Sequence, residues 1–410
     1  MNLIAIIILS AIIIEFILHF IADVLNLKML GKSIPDSFKE IYDETKYLKA
    51  QEYLKANTIF GWFIGFFNLF IIIVFWFSKG FVILDNAVRS LNFGVIPTGV
   101  IYMGILLISK EVISTPFDAY HTFVIEEQYG FNKTTLSTFV FDRIKGLFLS
   151  ILIGAPILSL ILLFFEYTGQ NAWWYSWIFI SIFIFILQII VPTFIMPIFN
   201  KFEPISEGEL KEAIMSYAKS INFPLSNIFI MDGSKRSSKS NAFFTGFGNH
   251  KRIVLFDTLV AKHTVNELVA ILAHEMAHYK KKHVLKNLLL AILQIGIILF
   301  LLSFFISYDK LFQAFYMEQK SIYAGLIFFS MLYSPIDFFI SIFIQIYSRK
   351  NEYEADNFAV ITTKNGKALI EAFKKLSVDN LSNLFPHPLY VFLNYTHPPI
   401  LARINAISTI

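Results

Sequence analysis

The chain carries an HExxH pattern at positions 274–278, which places two histidines around a glutamate. The pattern lies in a stretch without proline or glycine, residues 265–282, and this favours a helix. Positions i and i+4 share one face of a helix, so His274 and His278 can bind one zinc ion. Glu275 lies beside them, in the place of a general base that takes a proton from water. An amphipathic helix with two surface histidines is the alternative.

A catalytic zinc site needs a third protein ligand in addition to two histidines. The acidic segment SRKNEYEAD, at positions 348–356, offers Glu352 and Asp356 at the i, i+4 spacing of a helix. We expect Glu352 to bind the metal, and Asp356 to accept the second N–H of a ligand histidine and so fix its tautomer. Glu354 points to another side of the helix and is expected to be a solvated charge. An exposed charged helix is the alternative for the whole segment.

A third segment, THPPI at positions 396–400, precedes Arg403 near the end of the chain. The two prolines begin a helix and make the preceding backbone rigid. His397 could therefore donate a hydrogen bond to the oxyanion of a tetrahedral intermediate, and Arg403 could pair with a carboxylate near the metal. A structural histidine before a proline-capped helix is the alternative. His387, before Pro388, competes for the same role.

The composition places these groups in a membrane protein. Hydrophobic residues make up 56% of the 410 residues, and the mean hydropathy is +0.62, far above that of a soluble domain. The chain contains no cysteine, which excludes disulfides, thiolate metal ligands and a cysteine nucleophile. The net charge of +4 gives no indication of nucleic-acid binding.

Apolar stretches long enough to span a bilayer are predicted at seven places: 3–23, 59–80, 94–116, 146–167, 173–197, 284–307 and 322–347. The first is expected to be a retained span, because no basic residue precedes it as in a signal peptide. Lysine and arginine are concentrated in the segments on one side of these spans, namely 24–57, 110–145, 200–283 and 348–410. The positive-inside rule thus predicts an external N-terminus, with the C-terminus and all three motifs on the cytoplasmic side. A bacterial inner membrane and an endoplasmic reticulum membrane both fit.

Polar residues follow one face of the seventh predicted span. They recur at helical steps of three and four and lead on to Glu352 and Asp356: Ser334, Asp337, Ser341, Gln345 and Ser348. The first span adds a similar row: Glu15, His19 and Asp23. Because polar groups that face lipid are costly, we expect these rows to line a hydrated chamber connected to the metal. Polar contacts between packed helices are the alternative.

The most polar large block lies just before the HExxH helix. Residues 227–231 alternate like a short strand, and residues 240–246 and 251–256 flank a Gly248-Asn249 turn, which predicts a small antiparallel sheet. An extended peptide can pair with a sheet edge through main-chain groups. We assign that role to Asn241, Ala242, Phe243, Phe244, Thr245 and Gly246. A plain structural hairpin is the alternative.

Taken together, these patterns predict a mainly α-helical, polytopic membrane protein with a zincin-like catalytic part that contains a small β-sheet. Residues 1–199 are expected to form five spans, and residues 284–347 two more. Residues 200–283 are expected to hold the metalloprotease core, and residues 348–410 to complete it with the third ligand and the HPP motif.

The motifs YGFNKTT, SNAFFTGFG, HEMAH, SRKNEYEAD and HPPILAR, spread over essentially the whole chain, resemble those of the CAAX prenyl protease type I family of integral-membrane zinc metalloproteases. The resemblance implies a barrel of seven helices around a large chamber, closed at one end by the zinc domain. It implies His274, His278 and Glu352 as ligands of one zinc ion, and Glu275 as the base. It also implies His397 and Arg403 as supporting groups, and the Asn241 region as the strand that pairs with substrate.

The sequence therefore predicts a membrane-embedded zinc endopeptidase, with a peptide or protein as substrate and the lipid bilayer as its surroundings. In eukaryotic members of the family the substrates are farnesylated proteins that end in CAAX. A broad-specificity protease for the quality control of membrane proteins is the second hypothesis. A transporter would explain the spans and the polar rows but not three catalytic motifs on one side.

Overall fold

The computed structural model describes residues 1–245 and 251–410. Within these ranges the chain forms sixteen α-helices and four β-strands. The first eight helices are α1 (Leu3–Leu27), α2 (Glu44–Phe77), α3 (Gly80–Arg89), α4 (Val95–Tyr120), α5 (Leu136–Tyr167), α6 (Ala172–Ile190), α7 (Met196–Phe199) and α8 (Glu209–Ser220). The others are α9 (Asp257–Val260), α10 (Val265–Lys280), α11 (His283–Phe305), α12 (Asp309–Ala314), α13 (Ile322–Thr363), α14 (Gly366–Asp379), α15 (Pro388–Asn394) and α16 (Ile400–Ser408). The strands are β1 (Phe202–Pro204), β2 (Leu225–Met231), β3 (Ala242–Thr245) and β4 (Lys251–Phe256).

Seven helical segments of the described chain are long and apolar enough to cross a membrane, which confirms the predicted number. They are Leu3–Leu27, Glu44–Phe77, Val95–Glu126, Leu136–Tyr167, Gly169–Phe199, His283–Phe305 and Ile322–Thr363. Two of them are much longer than their apolar stretches, because a helix, once formed, extends through polar sequence at little further cost. α2 begins at Glu44, where the Asp43 side chain caps it, and α13 runs on to Thr363.

α13 joins the membrane part to the catalytic part without a break. Its 42 residues carry Asp337 at the level of the spans and Glu352 and Asp356 farther along. Gln294 of α11 donates a hydrogen bond to Asp337 at 3.1 Å, and Gln345 donates one to the carbonyl of Leu393 at 3.1 Å. Two members of the polar row on α13 therefore contact other helices.

The sheet has the strand order β1-β2-β4-β3. β3 and β4 are antiparallel, as predicted, with Ala242 opposite Leu255 and Thr245 opposite Arg252. β2 pairs with β4 in parallel, so the prediction of a purely antiparallel sheet is wrong. The order of strands depends on how the chain returns to the sheet, which the alternation of residues does not reveal. The predicted turn residues Gly248 and Asn249 lie outside the described residues.

α10 is anchored at its start by a capping box. The Thr264 hydroxyl accepts from the N–H of Glu267, and the Glu267 carboxylate accepts from the N–H of Thr264. The same carboxylate accepts two hydrogen bonds from Lys375 of α14, at 2.7 and 2.9 Å. Apolar residues of α10 such as Leu268 and Leu272 are buried in a core shared with the sheet and α14. These contacts fix the helix that carries the HExxH pattern.

Candidate metal centre

The structure brings together three side chains from two helices. His274 and His278 lie one turn apart on α10, and Glu352 reaches them from α13. The two histidine Nε2 atoms are 3.2 Å apart. Nε2 of His274 is 3.3 Å from Oε2 of Glu352, and Nε2 of His278 is 3.4 Å from Oε1.

These three residues fit a tetrahedral metal ion. Ligand atoms about 2.0–2.2 Å from zinc are separated from one another by about 3.3–3.6 Å, close to the three distances seen here. In the described part of the chain, Oε2 of Glu352 is also a buried oxygen without a hydrogen-bond partner. A buried carboxylate oxygen without a hydrogen bond is costly unless a cation lies close to it, and the guanidinium of Arg403, 3.5 Å away, does not hydrogen-bond to it. The triad of His274, His278 and Glu352 can therefore hold a metal.

The charges around the two histidines also favour a cation at the triad. Burial alone would lower the pKa of His274, but the neighbouring Asp356 and Glu352 carboxylates outweigh it and raise the pKa to about 9. Burial, together with the charge of His274, lowers the pKa of His278 to about 4. The carboxylates thus favour one positive charge beside His274, which a metal ion held by the triad would supply.

A buried pair stands behind His274. Oδ1 of Asp356 is 2.9 Å from Nδ1 of His274, the nitrogen that faces away from the triad. Arg403 of α16 donates to both oxygens of Asp356, through Nε at 2.8 Å and Nη2 at 2.6 Å. Its Nη1 also lies 3.5 Å from Oε2 of Glu352. Arg403 is only 7% exposed, and it is buried next to the ligand candidates His274 and Glu352.

His278 is supported in a way that the sequence did not suggest. Its Nδ1 is 3.1 Å from Nδ1 of His283, and Nε2 of His283 is 3.3 Å from Oε2 of Glu354. We expected Glu354 to be a solvated charge, but its carboxylate makes this contact. The presence of a further histidine just after HExxH is the only sequence signal, since Glu354 is not at helical spacing from Glu352.

Glu275 and His397 both lie near the triad, and they differ in burial. Glu275 follows His274 on α10, and burial raises the pKa of its carboxyl group although the charge of His274 opposes this. His397 is exposed over 63% of its side chain, and its Nε2 lies 3.4 Å from Oε1 of Glu352. Nδ1 of His397 is 2.9 Å from the Thr396 hydroxyl. The competing His387 instead caps α15, where its Nδ1 accepts from the N–H of Leu389.

The segment that we assigned to substrate forms β3, the edge strand of the sheet. The N–H of Phe256 donates to the carbonyl of Asn241, so the pair Asn241–Phe256 is a hydrogen-bonded pair of the antiparallel ladder. Since such pairs alternate, the main-chain groups of Ala242 and Phe244 point away from β4, towards the open edge, where the N–H of Ala242 donates to Oδ1 of Asn241 at 2.8 Å. Gly246, the last residue of the assigned segment, lies outside the described residues.

Two protein families match consecutive parts of the chain. Residues 23–201 match the family described as the CAAX prenyl protease N-terminal region with five membrane helices. Residues 204–410, which contain the triad, match peptidase family M48. The chain is similar to the CAAX prenyl protease 1 homolog of Dictyostelium discoideum, with 34% identity over 95% of this chain and 94% of the relative. It is likewise 34% identical to the CAAX prenyl protease 1 of Saccharomyces cerevisiae, over 93% of this chain and 90% of the relative.

A solved structure shows the same architecture. The crystal structure of Ste24p from S. mikatae superimposes with a TM-score of 0.92 at 32% sequence identity, and the match covers 99% of both chains. The similarity therefore includes the membrane helices as well as the catalytic part.

Proposed function

Since the chain belongs to peptidase family M48 and is a membrane-embedded metalloendopeptidase like the CAAX prenyl protease, we propose that it removes C-terminal residues from prenylated proteins. Two observations support this substrate class. The relatives that match it from end to end bear the name CAAX prenyl protease. The chain also has the membrane helices that would keep a lipidated substrate close to the bilayer.

The observation that carries the proposed chemistry is the triad of His274, His278 and Glu352. We assign one zinc ion per chain to it, because two imidazoles and one carboxylate are a donor set typical of catalytic zinc in peptidases. When bound, zinc polarises the scissile carbonyl and lowers the pKa of a water molecule towards neutrality. The other steps depend on side chains of this protein.

Glu275 is the proposed general base. One of its carboxylate oxygens takes a proton from the attacking water as the oxygen of that water bonds to the carbonyl carbon. The same carboxyl group then delivers this proton to the amine nitrogen as the peptide bond breaks. The raised pKa of Glu275 supports this role, because a carboxylate with an ordinary pKa would hold the proton more weakly between the two steps.

His397 is the proposed donor to the developing oxyanion. The Thr396 hydroxyl can donate to its Nδ1, which leaves the proton of a neutral ring on Nε2. That Nε2 faces the triad and belongs to an exposed side chain, so a substrate carbonyl can reach it. Arg403 is buried behind Asp356, and this favours a positioning role over contact with the substrate.

β3 is the proposed site of substrate pairing. The outward main-chain groups of Ala242 and Phe244 would hydrogen-bond to alternate residues of an extended peptide. Recognition through the backbone tolerates many side chains, so it is compatible with a CAAX terminus and also with broader clients. Only a prenyl-protein protease would require the lipid of the substrate. Dependence of cleavage on this lipid therefore distinguishes such a protease from a broad-specificity enzyme.

We also propose that the active site lies on the cytoplasmic side and opens into a hydrated chamber between the spans. The concentration of lysine and arginine in the segments that carry the motifs supports this orientation. The polar row on α13 supports the chamber, since the side chain of Asp337 is exposed within a spanning helix and a carboxylate that faced lipid would be costly.

The test uses purified protein and two reporter peptides with the same CAAX sequence, one farnesylated and one not. Zinc-dependent cleavage of the farnesylated peptide alone would support a prenyl-protein protease. Equal cleavage of both peptides would favour a broad-specificity enzyme for membrane-protein quality control. The Glu275→Gln variant and a chelator serve as controls for cleavage by contaminating proteases.

A further inference from the structure

His283 connects a metal-ligand candidate to a carboxylate near the surface. Its Nδ1 is 3.1 Å from Nδ1 of His278, and its Nε2 is 3.3 Å from Oε2 of Glu354. The His283 side chain is 1% exposed, whereas that of Glu354 is 40% exposed. Both ring nitrogens of a buried histidine are therefore occupied by groups from two other helices, α10 and α13.

A turn between α10 and α11 makes this contact possible. Lys282 has a left-handed backbone conformation with φ of 59° and is the residue immediately before α11. The helical path is interrupted there, so that His283 contacts His278 although the two lie five positions apart in the sequence. Residues at i and i+5 of one continuous helix do not lie on a common face.

The contacts define a single set of tautomers. Nε2 of His278 faces the triad, so a neutral His278 that offers this nitrogen to a metal carries its proton on Nδ1. That N–H can donate only to an unprotonated Nδ1 of His283. The His283 proton then sits on Nε2, from which it donates to Glu354. Each hydrogen bond thus requires the next.

We propose that His283 is a positioning residue that holds His278 in its metal-binding tautomer and ring orientation, with Glu354 fixing the tautomer of His283. This inference rests on the zinc site of the proposed function. It makes His278 the counterpart of His274, whose distal nitrogen meets Asp356 directly. The difference is that a second imidazole stands between the ligand and its carboxylate.

The contacts that hold His274 and His278 differ in strength, because the carboxylates of Asp356 and Glu354 differ in burial. Asp356 is 2% exposed and paired with Arg403, whereas water around the half-exposed Glu354 screens its charge. His283 therefore acts mainly by orientation, and His278 is the more weakly supported of the two histidines. Removing an outer partner of a ligand histidine typically weakens metal affinity by about 10–100-fold.

The experiment follows zinc release from the purified full-length protein to a chromogenic chelator, with thermal unfolding of each variant measured in parallel. His283→Leu fills the volume of the ring but removes the acceptor, and we expect it to release zinc about 10–100-fold faster. His283→Asn keeps an acceptor at the δ position, so its release rate should lie between those of wild type and His283→Leu. Glu354→Gln changes a half-exposed position, which keeps the test available if the buried variants fold poorly, and a smaller increase is expected.

A matched control is His263, another buried histidine, whose Nδ1 lies 3.2 Å from a carboxylate oxygen of Glu267. His263→Leu should lower the unfolding temperature but leave zinc release unchanged. Release at the wild-type rate from His283→Leu, or equal acceleration by His263→Leu, would overturn the positioning role. A wild-type protein that bound no zinc would instead overturn the proposed function from which this inference starts.

Discussion

Arg403 binds both oxygens of Asp356 with one edge of its guanidinium group: Nε lies 2.8 Å from Oδ2, and Nη2 lies 2.6 Å from Oδ1. Because Oδ1 also lies 2.9 Å from Nδ1 of His274, the arginine sets the plane of the carboxylate that contacts the histidine. A planar group with donors in a fixed geometry can do this, whereas an ammonium group cannot.

Arg403→Lys therefore tests geometry with the charge retained. We expect this variant to lose metal affinity and kcat/KM by about 10–100-fold, because Asp356 is no longer held in one orientation. Metal content after dialysis and kcat/KM on a cleaved reporter peptide would be measured. Arg143→Lys is the control, since Arg143 pairs with Glu111 and Asp118 at a partly exposed position, where a pair contributes at most about 1 kcal/mol. Equal losses in both variants would argue against the positioning role.

Glu275→Gln should abolish turnover while zinc stays bound. The amide cannot accept the proton of the attacking water, and general base catalysis contributes about 10²–10⁴-fold. Stoichiometric zinc together with a loss of kcat in this range would support the assignment. Glu371→Gln on α14, where Glu371 forms a partly buried pair with Lys374, should retain full activity. Turnover by Glu275→Gln at near the wild-type rate would remove Glu275 from the role of base.

Ala242→Pro tests the pairing of substrate with β3. Proline removes the outward N–H of this residue, which donates to Oδ1 of Asn241 at 2.8 Å in the free protein and would exchange this partner for a substrate carbonyl. The loss of one hydrogen bond of about 1 kcal/mol should raise KM by roughly 5–10-fold. Ala242→Ser keeps the N–H and should bind substrate like wild type. If KM is unchanged in the proline variant, the substrate does not pair with the β3 backbone at this residue.

Single cysteines test the hydrated chamber, and the absence of native cysteine makes the result easy to interpret. Cysteine at Asp337 or Gln345 should react with a charged, membrane-impermeant thiol reagent in detergent-solubilised protein, because water would reach both positions. Phe343, on the same helix and 71% exposed, is expected to face the detergent and to react slowly as cysteine. No reaction at Asp337 and Gln345 would leave polar contact between packed helices as the explanation of the row.

His263 should make the stability of the protein dependent on pH. Burial and the nearby Lys375 lower its pKa in the folded state, although the Glu267 and Asp379 carboxylates oppose this. The unfolded chain takes up the proton near the ordinary pKa of 6.5, so in this range it binds more protons than the folded chain. This contribution is therefore complete above that pH and is lost as the pH falls towards the pKa of the folded state.

To test this, the unfolding temperature would be measured between about pH 7.5 and pH 5.5. The decrease on acidification should be smaller for His263→Asn than for wild type, whatever the absolute stability of the variant. An identical decrease in both proteins would show that His263 does not titrate differently on unfolding.

Much of the site could be predicted because its parts repeat with the period of a helix. His274 with His278, and Glu352 with Asp356, are neighbours through local helical geometry alone, and the apolar stretches gave the number of spans. The parallel pairing of β2 with β4 could not be predicted, because it depends on the path of the chain through space. His283 and Glu354 were missed for a related reason: their contact joins the start of one helix to the middle of another.

Because α13 is one unbroken helix, it fixes the direction of Glu352 around the helix axis relative to that of Asp337 in the membrane span. An α-helix advances about 100° per residue, so the direction of Glu352 around the helix axis is set by every residue between it and Asp337. One residue inserted or deleted in that interval would turn the carboxylate away from His274 and His278, even if each half still folded. The lengths of the membrane span and of the catalytic segment therefore cannot change independently during evolution: this interval tolerates substitutions but not insertions or deletions.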